Sequence, residues 1–235
     1  VTKLIDAYHN PNIASDLARF SAQFNLPACG TGCFSVIYTR NGVRTSSAPA
    51  TNRGWAVESS LDVEWAHAVA PLAKIVLVEA ASATYSDLLG AAYYAANNLG
   101  ASVVSMSFGG GEFSTQASAT QAYFKNARTS FVASSGDSGY GVSYPASSAY
   151  VLAVGGTTLS VSSAGAYGGE SAWSGSGGGL SRYESVQPAY WPSVTPVAMR
   201  NAWASAPKPG GRPVPDVSYN ADPSIGFYVI SQTGI

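Results

Sequence analysis

Charge is scarce in this sequence. Asp, Glu, Lys and Arg make up 11% of its 235 residues, against roughly 25% in an ordinary soluble domain. The 12 Lys and Arg and the 13 Asp and Glu leave a net charge of −1, so there is no basic excess to attract nucleic acid. In full acid the 12 Lys and Arg and the 2 His carry +14. That is modest for the length, so self-repulsion at low pH is limited. Apolar runs long enough to span a bilayer are also missing, and no membrane helix is expected. No signal peptide opens the chain, so a secreted protein would be present already processed. What polar surface there is comes from Ser, Thr, Asn, Gly and Tyr, a composition that fits a secreted, acid-tolerant protein.

Cysteine is limited to Cys29 and Cys33, around Gly30-Thr31-Gly32. A glycine-rich Cys-x3-Cys loop can close as a small disulfide, for which chain entropy gives about 2 kcal/mol. Free thiols are the alternative. The histidines, His9 and His67, show no ligand spacing, so no metal site is expected. A bridge would point outside the cytosol.

What is present is an alternation. Lys3-Leu4-Ile5 reads as a strand ending at Asp6, with its upstream part expected to be missing. Ile13, Leu17, Phe20 and Phe24 recur at helical spacing. Asn41-Gly42 marks a hairpin within a loop over 28–54. Leu61, Trp65, Ala68, Val69 and Leu72 predict the buried stripe of a helix over 55–71. Strands are expected at 74–79, 103–108, 130–134 and 151–154, and a hairpin arm at 157–161. Helices are expected after Ser86 as cap and over 114–128. Beyond Gly165 the pattern fades into Gly- and Pro-rich loops, with a last strand near 227–230. Alternating strands and helices argue an α/β fold, a doubly wound, mostly parallel sheet. There is no repeat and no boundary, so a single domain over 1–235 is expected. Ligands of such sheets bind beyond the carboxyl ends of the strands. Asp6, Ser107-Phe108-Gly109-Gly110 and Ser134-Ser135-Gly136-Asp137 all fall there.

Glu58 and Asp62 are one helical turn apart, so their carboxylates share a face. On a surface that is an ordinary solvated acidic face. Buried, the two cannot both ionise cheaply and one proton is shared. The flanking Trp55, Leu61 and Trp65 favour burial.

Several stretches recur together: Ile5-Asp6-Ala7-Tyr8, Trp55 to Ala66 with Glu58 and Asp62, Ser105-Met106-Ser107-Phe108-Gly109, Ala133-Ser134-Ser135-Gly136-Asp137-Ser138-Gly139, Val154-Gly155-Gly156-Thr157-Thr158-Leu159, and Arg212 to Ser218. Joined in this order, they resemble the sedolisins, serine-carboxyl peptidases of subtilisin-like fold. The resemblance implies that Glu58 is the general base for a serine, that Asp62 orients it and shares its proton, and that Asp137 is the oxyanion donor. The chemistry is self-consistent. A serine hydroxyl needs a base and the base an orienting partner; an aspartate donates a hydrogen bond only when protonated. Such a set works in acid. Ser107, Phe108, Gly109, Gly110, Ser135 and Gly136 resemble the substrate-binding segments, and Phe108 stands where many relatives carry Trp.

One departure matters. The family's nucleophile lies in a Gly-Thr-Ser motif near the C-terminus, and this sequence stops at Gln232-Thr233-Gly234-Ile235 without one. The family's calcium loop lies further downstream, so no cofactor is expected in this chain and calcium is expected in the complete protein. The expected partners are a protein or peptide substrate, and the pro-region and C-terminal segment of the same precursor. The expectation is a secreted, acid-acting endopeptidase present as an incomplete chain, inactive by itself. The alternatives are a noncatalytic binding relative of the same fold, or an acid glycosidase using paired carboxylates.

Overall fold

The structure is a computed structural model that describes residues 1–30, 32–185, 193, 197–205 and 211–232. Its contacts divide the chain into two units. The first holds Val1–Ser107, Asn126–Ser130 and Phe227–Ile235; the second holds Phe108–Lys125 and Phe131–Gly226. No linker marks this division in the sequence, because each unit is assembled from stretches that alternate along the chain.

The first unit carries β1 (Thr2–Ala7), β2 (Phe34–Arg40), β3 (Val43–Thr45), β4 (Ile75–Ala80) and β5 (Val103–Met106). They lie in the order β5-β1-β4-β2-β3. β1 is parallel to β4 and β5, and β2 is parallel to β4. Only β3 is antiparallel, joined to β2 by the Asn41-Gly42 turn. The helices are α1 (Ile13–Gln23), α2 (Arg53–Val69) and α3 (Tyr85–Asn98). β4 is buried along its whole length, as a parallel strand covered on both faces must be. Leu4, Ile13, Leu17, Val63, Ile75 and Leu77 form one core cluster, each such side chain contributing about 1.5–3 kcal/mol by burial.

α2 turns a different face inward from the one the apolar spacing predicts. Its buried residues are Ala56, Ser59, Ser60, Val63, Glu64 and His67, while Val69 and Leu72 are 80% and 94% exposed. The reason is Asn10. Its side-chain amide, itself buried, donates to the Ala56 carbonyl at 3.0 Å and to the Ser59 and Ser60 hydroxyls at 3.2 and 3.1 Å. Small polar residues on α2 are what let the chain after β1 come this close. Trp65 packs instead against Phe20 and Phe227.

Other boundaries move too. Thr84 caps α3, accepting from the Asp87 amide at 3.4 Å, while Ser86 sits inside the first turn and donates to Asn41. β5 stops at Met106 rather than at 108. Residues 227–230 form no strand; the Ile230 amide donates to the Glu64 carboxylate at 3.0 Å, so a side chain takes the place of a ladder partner.

The second unit carries β6 (Gly110–Gly111), α4 (Gln116–Phe124), β7 (Ser130–Ser134), β8 (Ser143–Tyr144), β9 (Val151–Val161), β10 (Tyr167–Ala172), β11 (Gly179–Leu180), β12 (Pro213–Val214) and β13 (Val217–Asn220). α4 is shorter than the expected 114–128. β9 is parallel to β7 and β13 and antiparallel to β10. It runs unbroken through Gly155-Gly156, where the sequence suggests two separate strands. The glycines make room rather than a turn: a Cβ on Gly155 would lie 2.6 Å from Pro215 Cγ and 2.7 Å from Ser218 Oγ. Arg212 and Asp216, both buried, form an ion pair at 2.6 Å. Arg212 also donates to the Val151 carbonyl, and Asp216 accepts from the Ala153 amide. Together they fix the chain leading into β13 beside β9. Among the described residues, the expected loops beyond 165 thus carry four short strands and the helix Val197–Ala204. The Pro-rich stretches 186–192 and 206–210 lie outside the described residues.

The result is the expected α/β architecture of mostly parallel strands with flanking helices. Among the described residues no helix is long and apolar enough to cross a membrane.

Candidate active site

The first unit gathers carboxylates at the carboxyl end of its sheet. Asp6 and Glu79 stand opposite each other on β1 and β4, and both are fully buried. Their surroundings differ sharply. Glu79 accepts from the Asn10 amide at 3.0 Å and from His9 Nδ1 at 2.7 Å. Asp6 has two buried carboxyl oxygens and a partner for neither. Burial pushes the Asp6 pKa well above the usual carboxylate range, and Asp62, Glu58 and Glu79 push it further by repulsion. Glu79 is also raised by burial, held back by the Asn10 amide and by His9.

α2 brings the other two acids. Its start is fixed by Asn52, whose side chain accepts from the Trp55 amide at 3.1 Å. Glu58 and Asp62 follow on one face, half-buried. Asp62 lies with its carboxyl tip inward. Oδ1 accepts from the Ser107 hydroxyl at 2.7 Å, and Oδ2 is buried with no partner. Burial raises its pKa to about 6, against the opposing pull of the Ser107 hydrogen bond. Asp62, Glu58 and Glu79 thus all bear on Asp6, and Ser107 on Asp62, in the first unit. Asp6, Asp62 and Glu79 hold their protons to higher pH than free carboxyl groups do. Spacing along a helix finds only two of these four acids. The rule that sites form at strand ends already picks out Asp6 in the sequence, and the same rule applied to β4 is the signal that would add Glu79.

The remaining candidates lie in the second unit. Asp137 is exposed, just past the end of β7. Ser135 is buried; its hydroxyl donates to the Gly177 carbonyl at 2.8 Å and its amide to the Val154 carbonyl. Its side chain and its amide therefore both hold the turn in place. Gly136 has φ +115°, and a Cβ there would meet Ser143 Oγ at 3.0 Å, so only glycine fits. At Gly109 a Cβ would likewise come within 3.2 Å of the Ser143 Cβ. Gly110 pairs with Tyr144. Phe108 is buried.

Comparison with known proteins decides the family. The model of the subtilase family matches residues 44–222. This chain is 36% identical to kumamolisin of Bacillus sp. (strain MN-32) over 196 residues, 74% of this chain and 34% of that protein. It is 41% identical to sedolisin of Pseudomonas sp. (strain 101) over 100 residues, 38% of this chain and 15% of that one. The chain belongs to the subtilase family, in its sedolisin branch. Its fold agrees: Pseudomonas sedolisin, a serine-carboxyl proteinase complexed with two molecules of pseudo-iodotyrostatin, superposes with a TM-score of 0.72 at 27% identity, covering 94% of this chain and 64% of that one. A psychrophilic protease, S41, shares the fold at 18% identity with a TM-score of 0.55. The subtilisin-like fold of the sedolisins is thus the fold of this chain. It spans about a third of kumamolisin.

Proposed function

We propose that this chain carries the general base, its partner and the oxyanion donor of a secreted, acid-acting serine-carboxyl endopeptidase. Glu58 takes the proton of the attacking serine, Asp62 holds and orients Glu58, and Asp137 donates to the developing oxyanion. Ser107 through Gly110 and the Ser135-Gly136 backbone receive the peptide. The observation that supports this most is the cluster itself: Asp62 raised to about 6 beside an unpartnered, buried Asp6. A set of acids that keeps its protons in mild acid suits hydrolysis at low pH, where a base of ordinary carboxylate strength still accepts a proton. The Cys29–Cys33 bridge, with Cα atoms 5.2 Å apart, favours an oxidising compartment.

The serine is assigned outside these 235 residues. Ser107 donates to Asp62 and Ser135 is buried on Gly177, so neither is presented to Glu58 as a nucleophile. By the same resemblance calcium belongs to the complete protein, held downstream of Ile235. The test is an assay on denatured protein near pH 4, with this chain beside a form extended to the length of its relatives. The extended form should cleave and the 235-residue chain should not. In the extended form, Glu58→Gln should abolish turnover and Asp137→Ala should cut it by roughly two to three orders of magnitude. Cleavage by the short chain, lost on Glu58→Gln, would mean that the nucleophile lies within it.

A further inference from the structure

His67 belongs to none of this chemistry. It lies on the inward face of α2 and is fully buried. Its Nε2 is bonded to the Pro27 carbonyl at 2.8 Å. A carbonyl oxygen can only accept, so Nε2 carries the hydrogen; in the neutral ring Nδ1 is then a bare lone pair. That Nδ1 is buried with no hydrogen-bond partner. The two sulfurs are close to this ring: one ring nitrogen of His67 and the Sγ atoms of Cys29 and Cys33 all lie within 4.8 Å of one another. The spacing of these residues along the chain gives no hint of this, because α2 folds back over the loop that carries the cysteines.

Orientation of one ring nitrogen by a backbone carbonyl is how metal-binding histidines are commonly held. With the bridge formed, the sulfurs are bonded to each other and are not thiolates, the form that binds metal. We propose that reduction of the Cys29–Cys33 bridge opens a zinc site made of Cys29 Sγ, Cys33 Sγ and His67 Nδ1, with water in the fourth position. The S–S bond breaks, taking two electrons and two protons from a dithiol, which becomes a disulfide. Zn²⁺ then displaces both thiol protons to solvent. Two thiolates neutralise the ion, which is what a partly buried site requires. A tetrahedral site with Zn–S near 2.3 Å sets its ligand atoms about 3.8 Å apart, so the sulfurs must part from each other and settle around the imidazole nitrogen. Both states tie the loop after Pro27 to α2, the helix that carries Glu58 and Asp62. The bridge does so in an oxidising compartment and zinc in a reducing one.

The test uses the whole 235-residue chain, free of tag and metal. One portion is left oxidised; the other is reduced with a dithiol and desalted without air. Both are titrated with zinc chloride. The reduced chain should take up one zinc per chain and release two protons. The oxidised chain should bind at least roughly a hundredfold more weakly, and Cys29→Ser in reduced form should fall towards it. Cobalt(II) in place of zinc should give the thiolate charge-transfer band of a tetrahedral sulfur site. His67→Asn should weaken zinc binding by roughly tenfold or more. X-ray absorption of the zinc-loaded, reduced natural chain needs no variant, and should contain one imidazole beside two sulfurs. The proposal fails if reduction creates no added zinc binding, or if the absorption spectrum contains sulfur without imidazole. It fails equally if a folded His67→Asn chain binds zinc as tightly as the natural one.

Discussion

A carboxyl group that titrates near pH 6 changes charge where an ordinary aspartate is already ionised. Asp62 is such a group, and two opposing influences set its value. Burial raises it, and the Ser107 hydroxyl, bonded to Oδ1 at 2.7 Å, lowers it. Ser107→Ala removes only the second. The Asp62 pKa should then move upward from about 6, and carboxyl NMR titration of the variant reads this directly. A downward movement would mean that the hydroxyl is not what stabilises the ionised form. That Glu58 and Asp62 share a face of α2 is legible in the sequence because helix geometry fixes it. The state of Asp6 is not. Asp6 and Glu79 are equivalent in sequence, each an acid at the end of an apolar strand. What separates them is that His9 and Asn10 both turn to Glu79, leaving Asp6 without a donor. No local pattern encodes that choice.

At the scale of elements, the sheet of the first unit is readable because β1 and β4 are apolar runs with helices between them. The inward face of α2 is not, because its partner is Asn10 and the hydrophobic pattern has no term for a polar insertion. In the second unit β9 is masked by its own glycines, and β11 to β13 are too short to carry a period. The attachment of β13 to β9 is the element most dependent on a single polar pair. Arg212 is fully buried and Asp216 nearly so. Asp216→Ala leaves a buried guanidinium without its counter-charge and the Ala153 amide without its acceptor. A loss of roughly 3–5 kcal/mol is expected, measured by urea denaturation. The double change Arg212→Met with Asp216→Leu should cost much less, since no lone charge is stranded. A loss below about 1 kcal/mol for the single variant would mean that water reaches the guanidinium.

For the molecule as a whole, the buried acids set the pH at which the fold is most stable. Asp6, Asp62, Glu64 and Glu79 all have raised pKa values, each chiefly through burial. Glu64 reaches about 7, with Asp16 adding repulsion and the Ile230 amide opposing it. The sign follows from proton counting. Above the ordinary carboxylate value the unfolded chain has released these protons while the folded chain still holds them. Stability is therefore fully present in acid and is lost as the pH rises towards the folded values. Each retained proton costs about 1.4 kcal/mol per pH unit. Halving the sum for Asp62 and Glu64, to allow for water near the carboxyl groups, still leaves a loss of about 3 kcal/mol between pH 4 and 7. Against a typical total of about 5–15 kcal/mol that is a large share. Asp222 is shifted downward, but it is solvated at the surface and carries little weight against buried groups. Self-repulsion does not reverse the trend either, because full acid charges the side chains only to +14. The urea midpoint of this chain should accordingly be higher at about pH 4 than at about pH 7.5, and Glu64→Gln should flatten the upper part of that fall. A midpoint at neutral pH equal to or above the acid one would overturn the argument. The same protonated acids that suit the proposed site to low pH would then have to be stabilised by contacts other than those that bury them here.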